Sequence, residues 1–311
     1  MTRFAYLFPG QGSQKPGMGQ ALAEAYPESR RIFDTADGVL GRSISQLCFE
    51  GGERELALTE NTQPAILTVC SAALAALEER GLRPAAAAGH SLGEYAAHLA
   101  AGTFGLSDAL RTVELRGRFM QEAVAVGQGA MAAIIGLSLD DVEQICRDAA
   151  GGEVVTAANL NGPAQVVIAG ASSAVERAVE AARAAGAKRA VPLAVSAPFH
   201  CALMGPAAER LRPVLDAMEF RDPAFPVYTN VDAAPVVTAA AARDALIRQV
   251  SAAVLWQSAV EAMIADGIEL FVEVGPGKVL AGLVRRIDRK VRVLPAGEPA
   301  EIESVAEELA R

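Results

Sequence analysis

Short apolar runs alternate with helix-length segments along most of this chain, and glycine or proline closes the clearest of them. FAYLF (residues 4–8) stops at Pro9-Gly10, and IELFVEV (residues 268–274) stops at GPGK. The first run is continuously apolar, the pattern of a strand buried on two faces of a parallel sheet, and the second also reads as a strand. Between and after them, helices are expected from about Gln20, from Thr62 to about Arg80, from Asp108 to Val126, and over LWQSAVEAMIADG and VLAGLVRRI. Thr62 reads as an N-cap with Pro64 in the first turn. Strands alternating with helices predict an α/β fold with a parallel sheet covered on both faces.

The texture changes at Ala130. AMAAIIGL, EVVTAANL, AQVVIAG and RAVPLAV read as strands, and the second and third are joined by a turn at Asn161-Gly162-Pro163. LDDVEQICRDAA, capped by Ser138, and SAVERAVEAARAAG read as helices. The order β-α-β-β-α-β is the ferredoxin-like pattern. It predicts a small domain of residues 128–196 inserted into a larger one made of residues 1–127 and 197–311.

Charge narrows the partners. With 28 basic and 37 acidic residues the net charge is −9, which disfavours nucleic acid or an anionic membrane. The N-terminal apolar run is too short for a secretory signal, and no stretch approaches a membrane span. Cys48, Cys70, Cys146 and Cys201 lie far apart and form no zinc or disulfide framework, so reduced thiols in the cytoplasm are expected.

Gly89-His90-Ser91-Leu92-Gly93 fits the G-x-S-x-G pattern of a nucleophile elbow, which by itself equally describes a turn serine. The alanines of residues 85–89 argue against a strand by propensity, although the segment from Leu92 to Ala101 is a good helix closed by Gly102. A serine nucleophile needs a base, and the chain has three histidines. His90 is adjacent, where side chains around a tight turn diverge. His98 lies about 10 Å along the helix axis. His200, in SAPFHCALMG, remains. An ordinary α/β-hydrolase would add an acid between serine and histidine and place the histidine near the C-terminus. Here 111 residues follow His200, and no acid stands out, so a plain esterase is disfavoured.

Arg116 lies on the flank of an apolar helical stripe. Such an arginine either snorkels to solvent or needs an anionic partner, an internal carboxylate or one on a ligand, which its planar fork suits. PGQGSQKPGMG lacks the spacing of a P-loop or dinucleotide loop, and its better use is to offer a backbone N–H to a reacting carbonyl.

Taken in order, FPGQGSQ, NTQPAIL, GHSLGEY, ELRGRFMQ, ANLNGPAQVVIAG, APFH and VEVGPGKVLAGL resemble the malonyl-CoA:acyl-carrier-protein transacylases of bacterial fatty-acid synthesis, from the N-terminus to about Leu294. The resemblance implies an α/β-hydrolase-like large domain with a ferredoxin-like small one. It implies Ser91 as the acyl-carrying nucleophile, His200 as its base, and the main-chain carbonyl of Gln249 as the group that orients His200. By the same resemblance the N–H groups of Gln11 and Leu92 form the oxyanion hole and Arg116 holds the free carboxylate of malonate. Gln63, Asn159 and Asn161 match positions that line or support the cleft. Phe199 departs from the serine often found there in the stand-alone enzymes. In related polyketide acyltransferase domains a phenylalanine goes with malonyl, since the ring crowds an α-methyl branch.

The reaction implied is ping-pong malonyl transfer from malonyl-CoA to the phosphopantetheine thiol of acyl carrier protein, by a monomer without metal or redox cofactor. Arg285 to Lys290 (RRIDRK) and Lys188-Arg189 are candidate docking residues for that acidic partner. The competing readings are a trans-acting polyketide acyltransferase of the same chemistry, a thioester hydrolase, which Arg116 argues against, and a non-catalytic carrier-binding protein.

Overall fold

The buried run Phe4–Phe8 forms β1, near the middle of a six-stranded sheet. The computed structural model describes residues 2–195 and 197–310; Ser196, the last residue of the expected small domain, lies outside them, as do the chain ends Met1 and Arg311. The other strands of this sheet are β2 (Ala86–Gly89), β7 (Val227–Tyr228), β8 (Pro235–Val236), β9 (Leu270–Val274) and β10 (Arg292–Ala296), in the order β10-β9-β1-β2-β7-β8. All neighbours are parallel except the short β7–β8 pair. Helices cover both faces, as the continuous apolar run of β1 requires.

Alanines form β2 against their propensity because the space demands them. Ala86, Ala87 and Ala88 are buried between β1 and β7. Beyond them the helix Gly93–Ala100 crosses so close that a Cβ on Gly89 would sit 1.9 Å from the Gly93 carbonyl carbon. A Cβ on Gly93 would in turn meet the Phe8 carbonyl oxygen at 2.0 Å. Both glycines of the pentapeptide are therefore set by backbone contact, a tertiary demand that overrides strand propensity.

The second sheet contains β3 (Gly129–Ile135), β4 (Val155–Gly162), β5 (Gln165–Ala171) and β6 (Arg189–Pro192), antiparallel in the order β4-β5-β3-β6. Helices Leu139–Ala149 and Ser172–Ala184 pack on it around Ile134, Val142, Ile168 and Val175. Ser138 and Asp141 form a reciprocal capping box. Strand β4 extends through Gly162, so the turn falls at Pro163-Ala164, with Ala164 at φ 55°, and Asn161 remains in the strand. The free edge of β4 is stitched to the rest of the molecule: Leu160 N–H donates to the Val254 carbonyl and Val254 N–H to that of Ala158, each at 2.9 Å.

Thr62 is not an N-cap. The helix runs Thr59–Glu79, and the buried Thr62 hydroxyl donates to the carbonyls of Leu56 and Leu58. Pro64 consequently lies inside the helix, where it cannot bond the Glu60 carbonyl; the Arg42 guanidinium takes that oxygen at 3.3 Å instead. The helix Leu106–Glu122 also starts two residues before Asp108 and ends before Val126. Helices Pro27–Leu40, Gly205–Ala217 and Ala239–Gln249 were not anticipated from sequence. No helix among the described residues is long and apolar enough to cross a membrane.

Candidate active site

Ser91 stands between β2 and the helix Gly93–Ala100 with φ 52°, a conformation that a residue with a Cβ holds only under constraint. The constraint is visible. Asn230 accepts the Ser91 N–H on Oδ1 at 2.7 Å and donates from Nδ2 to the Gly89 carbonyl at 2.7 Å. Gln249 donates from Nε2 to the Ser91 carbonyl at 2.9 Å. The hydroxyl is thereby turned out of the strand–helix corner towards the loop that carries His200.

The two side chains meet, with Ser91 Oγ 2.7 Å from His200 Nε2. On the other side of the ring, His200 Nδ1 lies 3.0 Å from the Gln249 carbonyl oxygen. A carbonyl can only accept, so Nδ1 carries the proton and Nε2 faces the hydroxyl as an acceptor. The orientation that an acid provides in a serine–histidine–aspartate triad comes here from a main-chain oxygen at the end of Ala239–Gln249. Burial first, and then the Arg116 charge, hold His200 at about 3, so it is neutral.

Arg116 is more deeply placed than a flank position implies, at 1% exposed. Nη1 donates to Gln63 Oε1 at 2.7 Å, and Nη2 to Gln249 Oε1 at 2.9 Å and Ser91 Oγ at 3.1 Å. Its Nε has no hydrogen-bond partner among the described residues. Its hydrogen-bond acceptors are thus neutral, so the internal carboxylate considered from sequence is not found among these contacts. A buried cation dressed by amides and a hydroxyl is prepared for an anion from outside.

Ser91, His200 and Arg116 line one cavity of about 210 Å³, together with Gln11, Gln63, Leu92, Asn159, Asn161 and Phe199. Every side chain singled out from sequence as lining the site is therefore brought together there, and Gln249 lies directly behind it. Leu92 precedes the first turn of its helix, where N–H groups lack intrahelical acceptors. Asn161 Oδ1 lies 2.8 Å from His90 Nε2, which ties β4 to the serine corner. His98 is buried against Thr103, and Cys201 against the Pro198 carbonyl; neither faces the reacting pair.

Two residues of the network were not singled out from sequence. Asn230 follows β7, and Glu94 sits in the first turn of the helix behind Ser91, accepting from the Asn230 N–H at 2.8 Å and Gln249 Nε2 at 3.0 Å. The only signal for Glu94 was its place in GHSLGEY, on a helix face that proves wholly buried.

A family model described as the acyl transferase domain matches residues 5–302. The chain belongs to the acyl transferase family. This acyl transferase is 48% identical over 308 residues to the malonyl CoA-acyl carrier protein transacylase of Escherichia coli (strain K12), covering 99% of this chain and 100% of the relative. It is 47% identical over 304 residues to the Bacillus subtilis protein of the same name, covering 97% and 96%. Among solved structures, the malonyl CoA-acyl carrier protein transacylase of Coxiella burnetii superposes with a TM-score of 0.98 at 42% identity, covering 100% of this chain and 98% of that one. A malonyl-transacylase solved in complex with its type II PKS acyl-carrier protein gives 0.97 at 46% identity, covering 99% and 100%.

Proposed function

We propose that this acyl transferase moves a malonyl group from malonyl-CoA to the phosphopantetheine thiol of an acyl carrier protein through an ester on Ser91. One observation carries this reading: Ser91 Oγ lies 2.7 Å from a neutral histidine and 3.1 Å from a buried arginine within one cavity. The names of the relatives support it, as does the carrier-protein complex of one of them.

In the proposed sequence the malonyl carboxylate takes the guanidinium of Arg116, including the Nη2 donor that otherwise reaches Ser91 Oγ. Pairing also removes the bare cation that depresses His200, so the base strengthens when an anionic acyl group arrives. His200 Nε2 accepts the serine proton as Oγ attacks the thioester carbon. The oxyanion is held by the N–H groups of Gln11 and Leu92, donors of a kind worth about 3 kcal/mol each. CoA leaves with the proton from His200, and the malonyl ester remains. The carrier thiol then gives its proton to His200, attacks the ester and regenerates Ser91. No metal or redox cofactor enters these steps.

Residues 1–127 and 197–311 would then form the catalytic domain, and residues 128–196 the domain that contributes Asn159 and Asn161. Arg285, Arg289 and Lys290 line a recess at the end of the helix Val279–Ile287, whose Val279, Leu280 and Leu283 line the cavity. We read that recess as the docking side for an acidic carrier protein. The enzyme is read as cytoplasmic, in keeping with four buried free thiols, and as serving fatty-acid synthesis.

Phe199 sets the limit on acyl shape. It is 7% exposed and lines the cavity beside His200. Phe199→Ala is expected to raise methylmalonyl transfer relative to malonyl by roughly tenfold, the scale of one methyl group in a pocket; competition between the two CoA esters measures this ratio. For the reaction itself, initial rates over both substrates should give parallel reciprocal plots. Intersecting plots would mean direct transfer without the serine ester.

A further inference from the structure

Glu94 is fully buried three residues beyond the nucleophile. Its Oε2 accepts from the Asn230 N–H at 2.8 Å and from Gln249 Nε2 at 3.0 Å, and its Oε1 has no hydrogen-bond partner among the described residues. Both donors hold the reacting pair. Asn230 fixes the Ser91 N–H, while Gln249 binds the Ser91 carbonyl, accepts from Arg116 and orients His200. A single amide thus separates a buried cation from a buried carboxylate: Arg116 Nη2 donates to Gln249 Oε1 at 2.9 Å, and Gln249 Nε2 donates to Glu94.

We propose that Glu94 is a positioning residue for the reaction: it fixes Gln249 and Asn230 beneath Ser91 and supplies, through Gln249, the negative charge that serine–histidine pairs otherwise take from an adjacent acid. This rests on the acyl-transfer reading above.

The orientation of Gln249 follows from its neighbours. Arg116 can only donate, so the amide oxygen must face it, and the amide nitrogen must face acceptors, here Glu94 and the Ser91 carbonyl. The charge has a separate use. An imidazolium forms on His200 in each half-reaction, and a fixed anion in a dry interior lowers its energy. A core carboxylate with an unpartnered oxygen is destabilising. Glutamine would accept the same two hydrogen bonds without charge, so the bonds alone do not require a carboxylate.

The groups that act on Glu94 are Arg116 across Gln249, Asp232 beyond β7, and Tyr95 on its own helix. Burial raises its carboxyl to about 7, the hydrogen bonds and Arg116 opposing, while His200 lies at about 3. An acidic limb near neutrality therefore lies in the range of Glu94 and well above that of the base. Activity should be full above the limb and fall as the pH drops through it, where Glu94 takes a proton.

The test is single-turnover acylation by malonyl-CoA between about pH 5.5 and 8.5, for the wild type and Glu94→Gln. In the wild type kcat/KM should fall through the limb and level off about tenfold lower, where Glu94 is protonated. Glu94→Gln should be flat, about tenfold slower at the alkaline end, and no higher in KM for malonyl-CoA. Glu273, which caps the helix Val279–Ile287 through the N–H groups of Leu280 and Ala281, is also raised by burial to about 7. Glu273→Gln must therefore keep the limb. A flat wild-type profile, a limb that vanishes in Glu273→Gln, or a Glu94→Gln enzyme with unchanged rate and limb each overturns the proposal. Should Glu94→Gln fail to fold, the wild-type and Glu273→Gln profiles decide. A wild type that takes no malonyl at any pH instead removes the acyl-transfer reading itself.

Discussion

Arg116→Ala is expected to lose malonyl transfer by 10²-fold or more while acetyl transfer from acetyl-CoA changes far less. The wild-type guanidinium is already desolvated, with burial pushing its pKa down, and its hydrogen-bond acceptors are all neutral. Binding an anionic acyl group therefore gains a charge-assisted pair with little further desolvation of the protein. Losing one partner of such a pair costs about 2–5 kcal/mol, or roughly 30- to 4,000-fold. Acetyl has no carboxylate to lose, and the alanine also lifts the Arg116 charge from His200. The ratio of kcat/KM for the two CoA esters measures the effect. Equal losses for both esters would make Arg116 a structural group. Arg116→Lys should not restore the ratio, because an ammonium cannot offer the planar fork that spans Gln63, Gln249 and a carboxylate.

Ser91→Ala and His200→Ala should each lower kcat by roughly 10⁴-fold or more, the scale seen when a nucleophile or its base is removed. They act as one unit joined by the 2.7 Å contact, so the double variant is expected to be no slower than either single one. Transfer of [2-¹⁴C]malonyl to holo carrier protein measures all three. Additive losses would mean that the residues work in separate steps. Both residues hold positive φ values, 52° and 60°, and replacing a side chain leaves that backbone in place. The expected loss is therefore chemical rather than a loss of fold.

How much could be read from sequence depended on what each residue answers to. Strand β1 was legible because its burial on two faces writes itself as a continuous apolar run, and β9 because its apolar residues end at a glycine–proline loop. The β-α-β-β-α-β unit was legible from its periods, its Ser138 cap and its hairpin. Strand β2 was not, because its alanines answer to the backbone of the crossing helix and not to their own propensity. Thr62 misled because its hydroxyl bonds backward to the carbonyls of Leu56 and Leu58 rather than forward to a helical N–H. For the site, elimination among three histidines led to His200, and Arg116 showed as a charge beside an apolar stripe. Glu94 and Asn230 were out of reach, since they meet Ser91 only through contacts between distant segments.

The central claim is that Ser91 passes a malonyl group between two thiols. Intact-protein mass spectrometry after mixing with malonyl-CoA addresses it directly, with peptide mapping and a second step of added holo carrier protein. The account predicts a single malonyl adduct on the peptide containing Ser91, which disappears as malonyl carrier protein forms and never appears in Ser91→Ala. An adduct on another residue, or malonyl carrier protein formed with equal speed by Ser91→Ala, would contradict it.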